Sequence, residues 1–150
     1  MKTKKVVVSS YFDAPAEKIW EKIQDVATLV EICKPLARFK PVSGKMPLHW
    51  KEKSTLSFRF YAYGIIPFGK HDIFLERVDP VALEIQSREK NKIVKVWDHL
   101  IRIEPVSENR VKYTDEIVVY AGALTWFVAR WSAMFYRHRQ RKWRKIARKL

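Results

Sequence analysis

The sequence contains very little cysteine and glycine. Cys33 is the only cysteine in 150 residues, so an intramolecular disulfide is excluded, and no Cys/His set has the spacing of a zinc site. Only four glycines are present, and the chain has no glycine-rich phosphate loop, low-complexity linker or internal repeat. These absences favour one domain over residues 1–150 in a reducing compartment, which we expect to be the cytoplasm. They indicate no cofactor.

Long apolar runs are also absent. The longest, AGALTWFVARWSAMFY, has 16 residues and contains Arg130, whereas a membrane-spanning helix needs about 20 apolar residues. The basic start of the chain leads directly into VVVSSYF, which is too short and too polar for the core of a signal peptide. The sequence therefore predicts a soluble protein.

Acidic residues are missing from the last 30 positions. The chain has a net charge of +14, and residues 121–150 carry +9 of it. Such a face attracts anionic surfaces, so an anionic membrane is one candidate partner, and a solvated helix face is the alternative. No helix-turn-helix, zinc-finger or RNA-binding signature indicates specific nucleic-acid recognition. The candidate anionic-surface residues are Arg137, Arg141, Arg144 and Lys145.

Two short helices are predicted after a first strand, KKVVVSSYF. In the following DAPAEKIWEKIQDVA, Asp13 is placed to cap the first helix, and the apolar residues recur at helical spacing. A second helix is predicted from Thr28, because Thr28 and Glu31 match a capping box, and it should end before Pro35.

Period-two alternation dominates residues 38–120 and predicts an antiparallel sheet of six or seven strands. The segment TLSFRFYAY, for example, alternates apolar and polar residues. A long helix is predicted from about Gly122, with an apolar stripe that would lie on the sheet. The stripe consists of Leu124, Val128, Trp131, Phe135 and Ile146.

This order of elements resembles the helix-grip fold of the START-like, or SRPBCC, superfamily, in particular its bacterial polyketide cyclase/dehydrase-like members. The segments that carry the resemblance are FDAPAEKIWEKIQD, GIIPFGKHDIFLERVD, VWDHLIRIEP and VKYTDEIVVYAGAL. The resemblance implies an α+β fold with a strongly curved sheet around the C-terminal helix and an apolar cavity between them. Members typically bind lipids, sterols, polyketides or other hydrophobic small molecules, and a minority are enzymes. The family has no universal catalytic residue to carry over.

Two strands carry the residues most suited to chemistry. Alternation puts Trp97 and His99 on one face of VWDHLIRI, and Tyr113 and Asp115 on one face of NRVKYTDEIV. If the hairpin closes through about four residues, His99 lies opposite Asp115. The carboxylate would then hold the imidazole tautomer and raise its pKa, as a general base requires. A polar cross-strand contact with no catalytic role is the competing interpretation.

We therefore expect a pocket that binds a hydrophobic or amphipathic small molecule. Its candidate lining residues are Trp97, His99, Tyr113, Asp115, His71 and Tyr61. A cyclase or dehydratase that uses His99 with Asp115 is an alternative, and a membrane-surface module that uses the basic helix is another. The sequence leaves open the ligand, any turnover and the oligomeric state.

Overall fold

The computed structural model describes residues 1–150. Seven strands, two short helices and one long helix follow one another along the chain, and a 3-10 turn, Gly122–Leu124, precedes the last helix. The strands are β1 (Lys4–Phe12), β2 (Ala37–Pro41), β3 (Thr55–Ala62), β4 (Ile66–Asp79), β5 (Glu84–Lys90), β6 (Val96–Ser107) and β7 (Arg110–Tyr120). The helices are α1 (Ala16–Ile23), α2 (Val26–Cys33) and α3 (Thr125–Ala147).

All seven strands form one antiparallel sheet in the order β1-β7-β6-β5-β4-β3-β2. Strands β2 to β7 are a meander, and β1 pairs with β7 at the far edge. Register shifts interrupt β3–β4, β4–β5 and β6–β7, and such bulges bend a strand and increase its twist. The sheet therefore curves around α3, which confirms the predicted α+β helix-grip architecture.

The core lies between the concave face of the sheet and α3. Trp143 of α3 packs on Phe12 of β1 and on Tyr113 of β7, with ring centroids 5.9 Å apart in both pairs. Side chains of α3 are buried on one face at helical spacing. They are Thr125, Ser132, Phe135, Tyr136, Arg139, Gln140, Trp143 and Ala147.

The predicted starts of α1 and α2 were wrong. Helix α1 begins at Ala16 after Pro15, and no side chain caps it, so Asp13 has no capping role. Helix α2 begins at Val26, not at Thr28, which is buried within the helix. A tertiary contact replaces the predicted capping box, since the backbone N–H of Val26 donates to the carbonyl of Leu48 at 3.1 Å.

A 3-10 turn begins at Gly122, where the sequence predicts the helix to start, and α3 itself begins at Thr125. Gly122 has a φ of +57°, a left-handed conformation that suits glycine and ends the extended backbone of β7. The Thr125 hydroxyl donates to the Gly122 carbonyl and accepts from the Ala121 N–H. Leu124 thus precedes α3 and is 52% exposed, so its predicted place in the apolar stripe was wrong.

No helix of this fold combines the length and the apolar character that a bilayer crossing requires.

Candidate functional site

A cavity lies between the concave face of the sheet and α3. Of the 22 residues that line it, 15 are hydrophobic. The volume open to the centres of water-sized molecules is about 70 Å³, and all the empty space, including the open mouth, amounts to about 800 Å³. The lining residues Leu29, Trp50, Phe60 and Trp131 are partly exposed. The cavity therefore opens between α2, the β2–β3 connection and α3.

Four adjacent strands each contribute one ionisable side chain to a buried polar chain. His71 of β4 hydrogen-bonds to Glu89 of β5, with 2.8 Å between Nε2 and Oε1. His99 of β6 hydrogen-bonds to Asp115 of β7, with 2.6 Å between Nε2 and Oδ1. Between the two pairs, His99 Nδ1 lies 3.7 Å from Glu89 Oε2. These four side chains point to the concave face of the sheet. They form a row of hydrogen-bonded, ionisable groups beneath an apolar cavity.

Helix α3 extends this polar chain to the sheet edge. Gln140 donates from Nε2 to Asp115 Oδ2 at 2.9 Å and to the Val8 carbonyl of β1 at 2.8 Å. The same amide accepts a 2.7 Å hydrogen bond from the Ser10 hydroxyl. No three His, Cys, Asp or Glu side chains form a group that could hold a metal ion.

The tautomer of His71 is determined by Asn91. The Asn91 Oδ1 accepts hydrogen bonds from the backbone N–H groups of Ile93 and Val94, which fixes the orientation of the amide. Its Nδ2 therefore faces His71 Nδ1 at 3.1 Å and donates to it. His71 carries its proton on Nε2 and donates it to Glu89.

His99 and Glu89 have pKa values that their neighbours shift strongly. Burial alone would lower the pKa of His99, but the hydrogen bond to Asp115 and the nearby carboxylate of Glu89 outweigh it and raise that pKa above its ordinary value. Burial would raise the pKa of Glu89, but donation from His71 and the nearby imidazole of His99 hold that pKa well below its usual range. Glu89 is thus a carboxylate at neutral pH, and the neighbours of His99 favour its protonated form.

Aromatic residues connect α3 to this polar chain. The Trp97 indole N–H donates to the Tyr136 hydroxyl at 3.0 Å, and the rings of His99 and Tyr136 have centroids 4.8 Å apart. The guanidinium of Arg139 lies 4.8 Å from the centroid of the Tyr136 ring. Burial raises the pKa of the Tyr136 hydroxyl well above its ordinary value, so this group stays a neutral hydrogen-bonding group.

The structure brings together part of the candidate set from the sequence. His71, Trp97 and His99 line the cavity, and Asp115 is fully buried behind His99. Tyr113 is buried in the core below the cavity, where it stacks on Phe12 with a centroid distance of 4.8 Å.

Tyr61 lies on the opposite face of the sheet, away from the cavity. Its neighbours Phe60 and Ala62 point inward, and Lys40 Nζ lies 5.8 Å from the Tyr61 ring centroid. Tyr61 therefore does not line the pocket in this fold.

The predicted register of the β6–β7 hairpin was wrong, although the side chains of His99 and Asp115 do contact each other. The turn contains only two residues, 108 and 109, and a bulge between Pro105 and Ser107 precedes it. His99 consequently pairs with Ile117, and Asp115 pairs with Ile101. The side chains of His99 and Asp115 contact each other diagonally, a distance that long side chains can span.

The four basic candidates on α3 are all exposed. Arg137, Arg141, Arg144 and Lys145 lie on the outer face of the helix, and none forms an ion pair in the structure.

Sequence reasoning missed several polar residues of the site, among them Glu89, Arg139 and Gln140. Glu89 stands in the charged run SREKNK and resembled a surface residue, but alternation from Ile85 places it on the inner face. Arg139 and Gln140 follow Phe135 and Tyr136 by one helical turn, so the helical period already placed them on the buried stripe.

The fold is shared with several solved structures. A START superfamily protein from Mycobacterium smegmatis aligns with a TM-score of 0.74 at 11% identity, over 97% of this chain and 97% of that one. Norcoclaurine synthase from Thalictrum flavum, in complex with dopamine and hydroxybenzaldehyde, aligns with a TM-score of 0.64 at 12% identity, over 93% of this chain and 86% of that one. The Zhui aromatase/cyclase from Streptomyces sp. R1128 gives a TM-score of 0.58 at 18% identity, over 81% of this chain and 70% of that one.

These identities are low, so the structural likeness establishes the fold alone. A search of curated proteins finds no match. The model of one sequence family, described as a domain of unknown function (DUF8410), matches residues 10–147. The chain therefore belongs to the DUF8410 family and has the START-like, SRPBCC-type helix-grip fold.

Proposed function

We propose that this protein binds an amphipathic small molecule in the cavity between the sheet and α3. One observation carries the proposal: the lining of the cavity is mostly apolar but includes a few polar side chains, which are His71, Glu89, His99 and Arg139. Apolar pockets with a few convergent polar groups are the usual form of a ligand site. Norcoclaurine synthase, which shares the fold, was solved with dopamine and hydroxybenzaldehyde, and this supports a ligand of about one aromatic ring.

Apolar contact would supply most of the affinity. An aromatic ring that buries about 200 Å² contributes roughly 5 kcal/mol at about 25 cal/mol per Å², before the costs of association. Trp97 would pack on the ring, and His71 and His99 would orient the polar end. Asp115 would act through His99, because it lies behind the imidazole and does not line the cavity.

A cavity-filling substitution tests this proposal with a neutral probe, 4-ethylbenzamide. Ile101 points into the cavity, whereas its neighbour Leu100 lies on the outer face of the sheet. Calorimetric titration should show binding to the wild type and to Leu100→Trp, and a loss of about tenfold or more in Ile101→Trp, because the new indole occupies the ligand volume. Equal binding by both variants, each folded, would place the probe outside the cavity and contradict the proposal.

A second candidate, acid–base catalysis, is favoured by the state of His99. Its Nδ1 has no hydrogen bond, since the 3.7 Å separation from Glu89 is too long, and the raised pKa keeps a proton available there. A cyclase or dehydratase would use this N–H as the general acid that protonates a departing hydroxyl, while the α-proton of the substrate passes to water. Dehydration of a β-hydroxy ketone, followed by enone absorbance, should then slow as the pH rises through the pKa of His99. A rate unchanged in His99→Asn would exclude this role.

A third candidate is association with an anionic membrane through the outer face of α3. Trp126 and Phe127 are 61% and 63% exposed, and the guanidinium of Arg130 lies 5.0 Å from the Trp126 ring centroid. The basic residues Arg137, Arg141, Arg144 and Lys145 follow on the same face of the helix. Exposed aromatic residues beside a basic stripe are typical of helices that lie on a lipid surface.

A further inference from the structure

Arg139 is a buried cation without a bonded partner. Its side chain projects from the middle of α3, the residue is only 5% exposed, and it lines the cavity. The Nε atom is buried and has no hydrogen-bond partner. The guanidinium contacts the faces of Tyr136 and Phe135 at 4.8 and 5.9 Å from their centroids, which replaces only part of the lost hydration.

The two nearby carboxylates do not satisfy these donors. Both oxygens of Asp115 already accept hydrogen bonds, from His99 and from Gln140. Both oxygens of Glu89 also accept, from His71 and from the Ser87 hydroxyl. Arg139 forms no ion pair with either carboxylate. The oxygens of these two carboxylates thus already have partners. The Tyr113 hydroxyl lies near Arg139 and Trp143 but forms no hydrogen bond with either, and Arg139 lines the cavity.

A second donor lies one helical turn further along α3. Trp143 also lines the cavity, and its indole N–H is buried without a partner. Both groups are donors only, so the polar part of a matching ligand must supply acceptors. A carboxylate matches the planar guanidinium with two parallel hydrogen bonds.

The charges around the cavity favour a ligand with one negative charge over a ligand with two. The carboxyl groups of Glu89 and Asp115 lie at or just behind the cavity wall, so a ligand with one negative charge meets less repulsion there than a ligand with two. A phosphate monoester would bring about two negative charges next to the same carboxylates. Its repulsion by Glu89 and Asp115 would offset much of the attraction to Arg139.

We infer that Arg139 anchors the carboxylate of an apolar monocarboxylic acid whose hydrocarbon part occupies the cavity. This inference rests on the proposed function, because it requires the cavity to be a ligand site. It assigns the ligand a chemical class and an orientation, with the acid group at α3.

Calorimetric titration with a matched ligand pair tests the inference. The pair is 4-ethylbenzoate and 4-ethylbenzamide, which have the same ring and tail and differ in charge. The wild type should bind the acid about tenfold more tightly than the amide or better, as expected for a charge-assisted bidentate contact. A third ligand, 4-ethylphenyl phosphate, should bind more weakly than the acid.

Variants of α3 identify the anchor. In Arg139→Met the preference for the acid should disappear, while amide binding persists and reports that the cavity is intact. Arg139→Lys should retain only part of the preference, because an ammonium keeps the charge and loses the planar fork. Arg137→Met removes one charge from the exposed face of the same helix and should leave the preference unchanged.

The outcomes separate the inference from the proposed function. If the amide binds and the acid binds no more tightly, or if Arg139→Met keeps the preference, the inference fails and the cavity remains a ligand site. Tighter binding of the phosphate than of the acid would overturn the assignment of a carboxylate. If neither the acid nor the amide binds, the proposed function fails for ligands of this size, and the inference fails with it.

Discussion

His99 is buried in the core, where it hydrogen-bonds to Asp115 and lies 3.7 Å from Glu89. Its raised pKa means that protonation stabilises the fold. This contribution is complete below the ordinary pKa of 6.5 and is lost as the pH rises through the higher pKa of the folded state. The lowered pKa of Glu89 acts in the opposite sense, since its contribution is present above the ordinary value of 4.5 and is lost as the pH falls through the folded pKa.

The free energy of unfolding should therefore decrease as the pH rises above about 6.5, and His99→Asn should abolish most of that decrease. Urea unfolding at a series of pH values from 5.5 to about 9 measures both curves. His49→Asn is the matched control, because His49 has a side chain that is 58% exposed and its replacement should leave the decrease in place. An identical decrease in wild type and His99→Asn would show that His99 does not cause the pH dependence of the free energy of unfolding.

Individual residues also show how far the sequence predicts the site. Alternation correctly placed Trp97 and His99 on one face, because period two needs no knowledge of the partner strands. The register between β6 and β7 was not predictable from that pattern, since a two-residue turn and a bulge at Pro105/Ser107 set it. Asn91 was missed because its role depends on a backbone turn at Ile93 and Val94 that propensity alone does not reveal.

At the scale of elements, α3 determines both the core and the site. The sequence indicated the long helix from its apolar stripe, but a search for apolar residues alone overlooks Ser132, Arg139 and Gln140. These polar residues lie on the buried face of α3 because the helical period puts them there. A polar residue at a predicted buried position is thus the signal that could have located the site.

The helix starts were less predictable, because the loop residue Leu48 satisfies the Val26 N–H of α2.

The attachment of α3 to the sheet edge should depend strongly on Gln140. Gln140→Leu would leave the Val8 carbonyl, Asp115 Oδ2 and the Ser10 hydroxyl without their partner. Each unsatisfied buried group costs about 1–3 kcal/mol, so we expect a loss of about 3–5 kcal/mol in the free energy of unfolding.

Arg141→Leu is the control for this variant, because Arg141 is the next residue and is exposed. It should change the stability by no more than about 0.5 kcal/mol. Urea unfolding of both variants gives the comparison. A loss below about 1 kcal/mol in Gln140→Leu would mean that the hydrogen bonds of Gln140 contribute little.

At the scale of the whole molecule, most of the net positive charge comes from the last 30 residues. The net charge of +14 and the exposed aromatic residues at the start of α3 favour contact with an anionic lipid surface. The resemblance to the START-like superfamily was evident across almost the whole chain, and the fold could be predicted because it depends on the order and period of elements. The partner of the basic face was not predictable in the same way, since solvated and membrane-bound helices share that composition.

Vesicle sedimentation tests this membrane association. Vesicles of phosphatidylcholine with phosphatidylserine should bind the protein at low salt, and binding should decrease as salt is added. Arg141→Glu, Arg144→Glu and Lys145→Glu together should weaken binding by about 3 kcal/mol or more, since each basic residue near the surface contributes about 1 kcal/mol.

The control for that variant reverses three exposed lysines elsewhere, at Lys40, Lys45 and Lys51. It makes the same change in net charge and should bind almost as well as the wild type. If both triple variants lose binding equally, the net charge of the protein attracts it to the vesicles, and the basic face of α3 has no specific role.

Native mass spectrometry of the freshly purified protein, followed by solvent extraction, tests the central claim most directly. The account predicts a stoichiometric apolar acid on the wild type and on Leu100→Trp, and its absence from Ile101→Trp, in which the indole fills the cavity. Two results would contradict the claim that this cavity is a ligand site. One is a bound molecule that persists on Ile101→Trp. The other is wild-type protein that carries no small molecule and takes up neither added 4-ethylbenzoate nor added 4-ethylbenzamide.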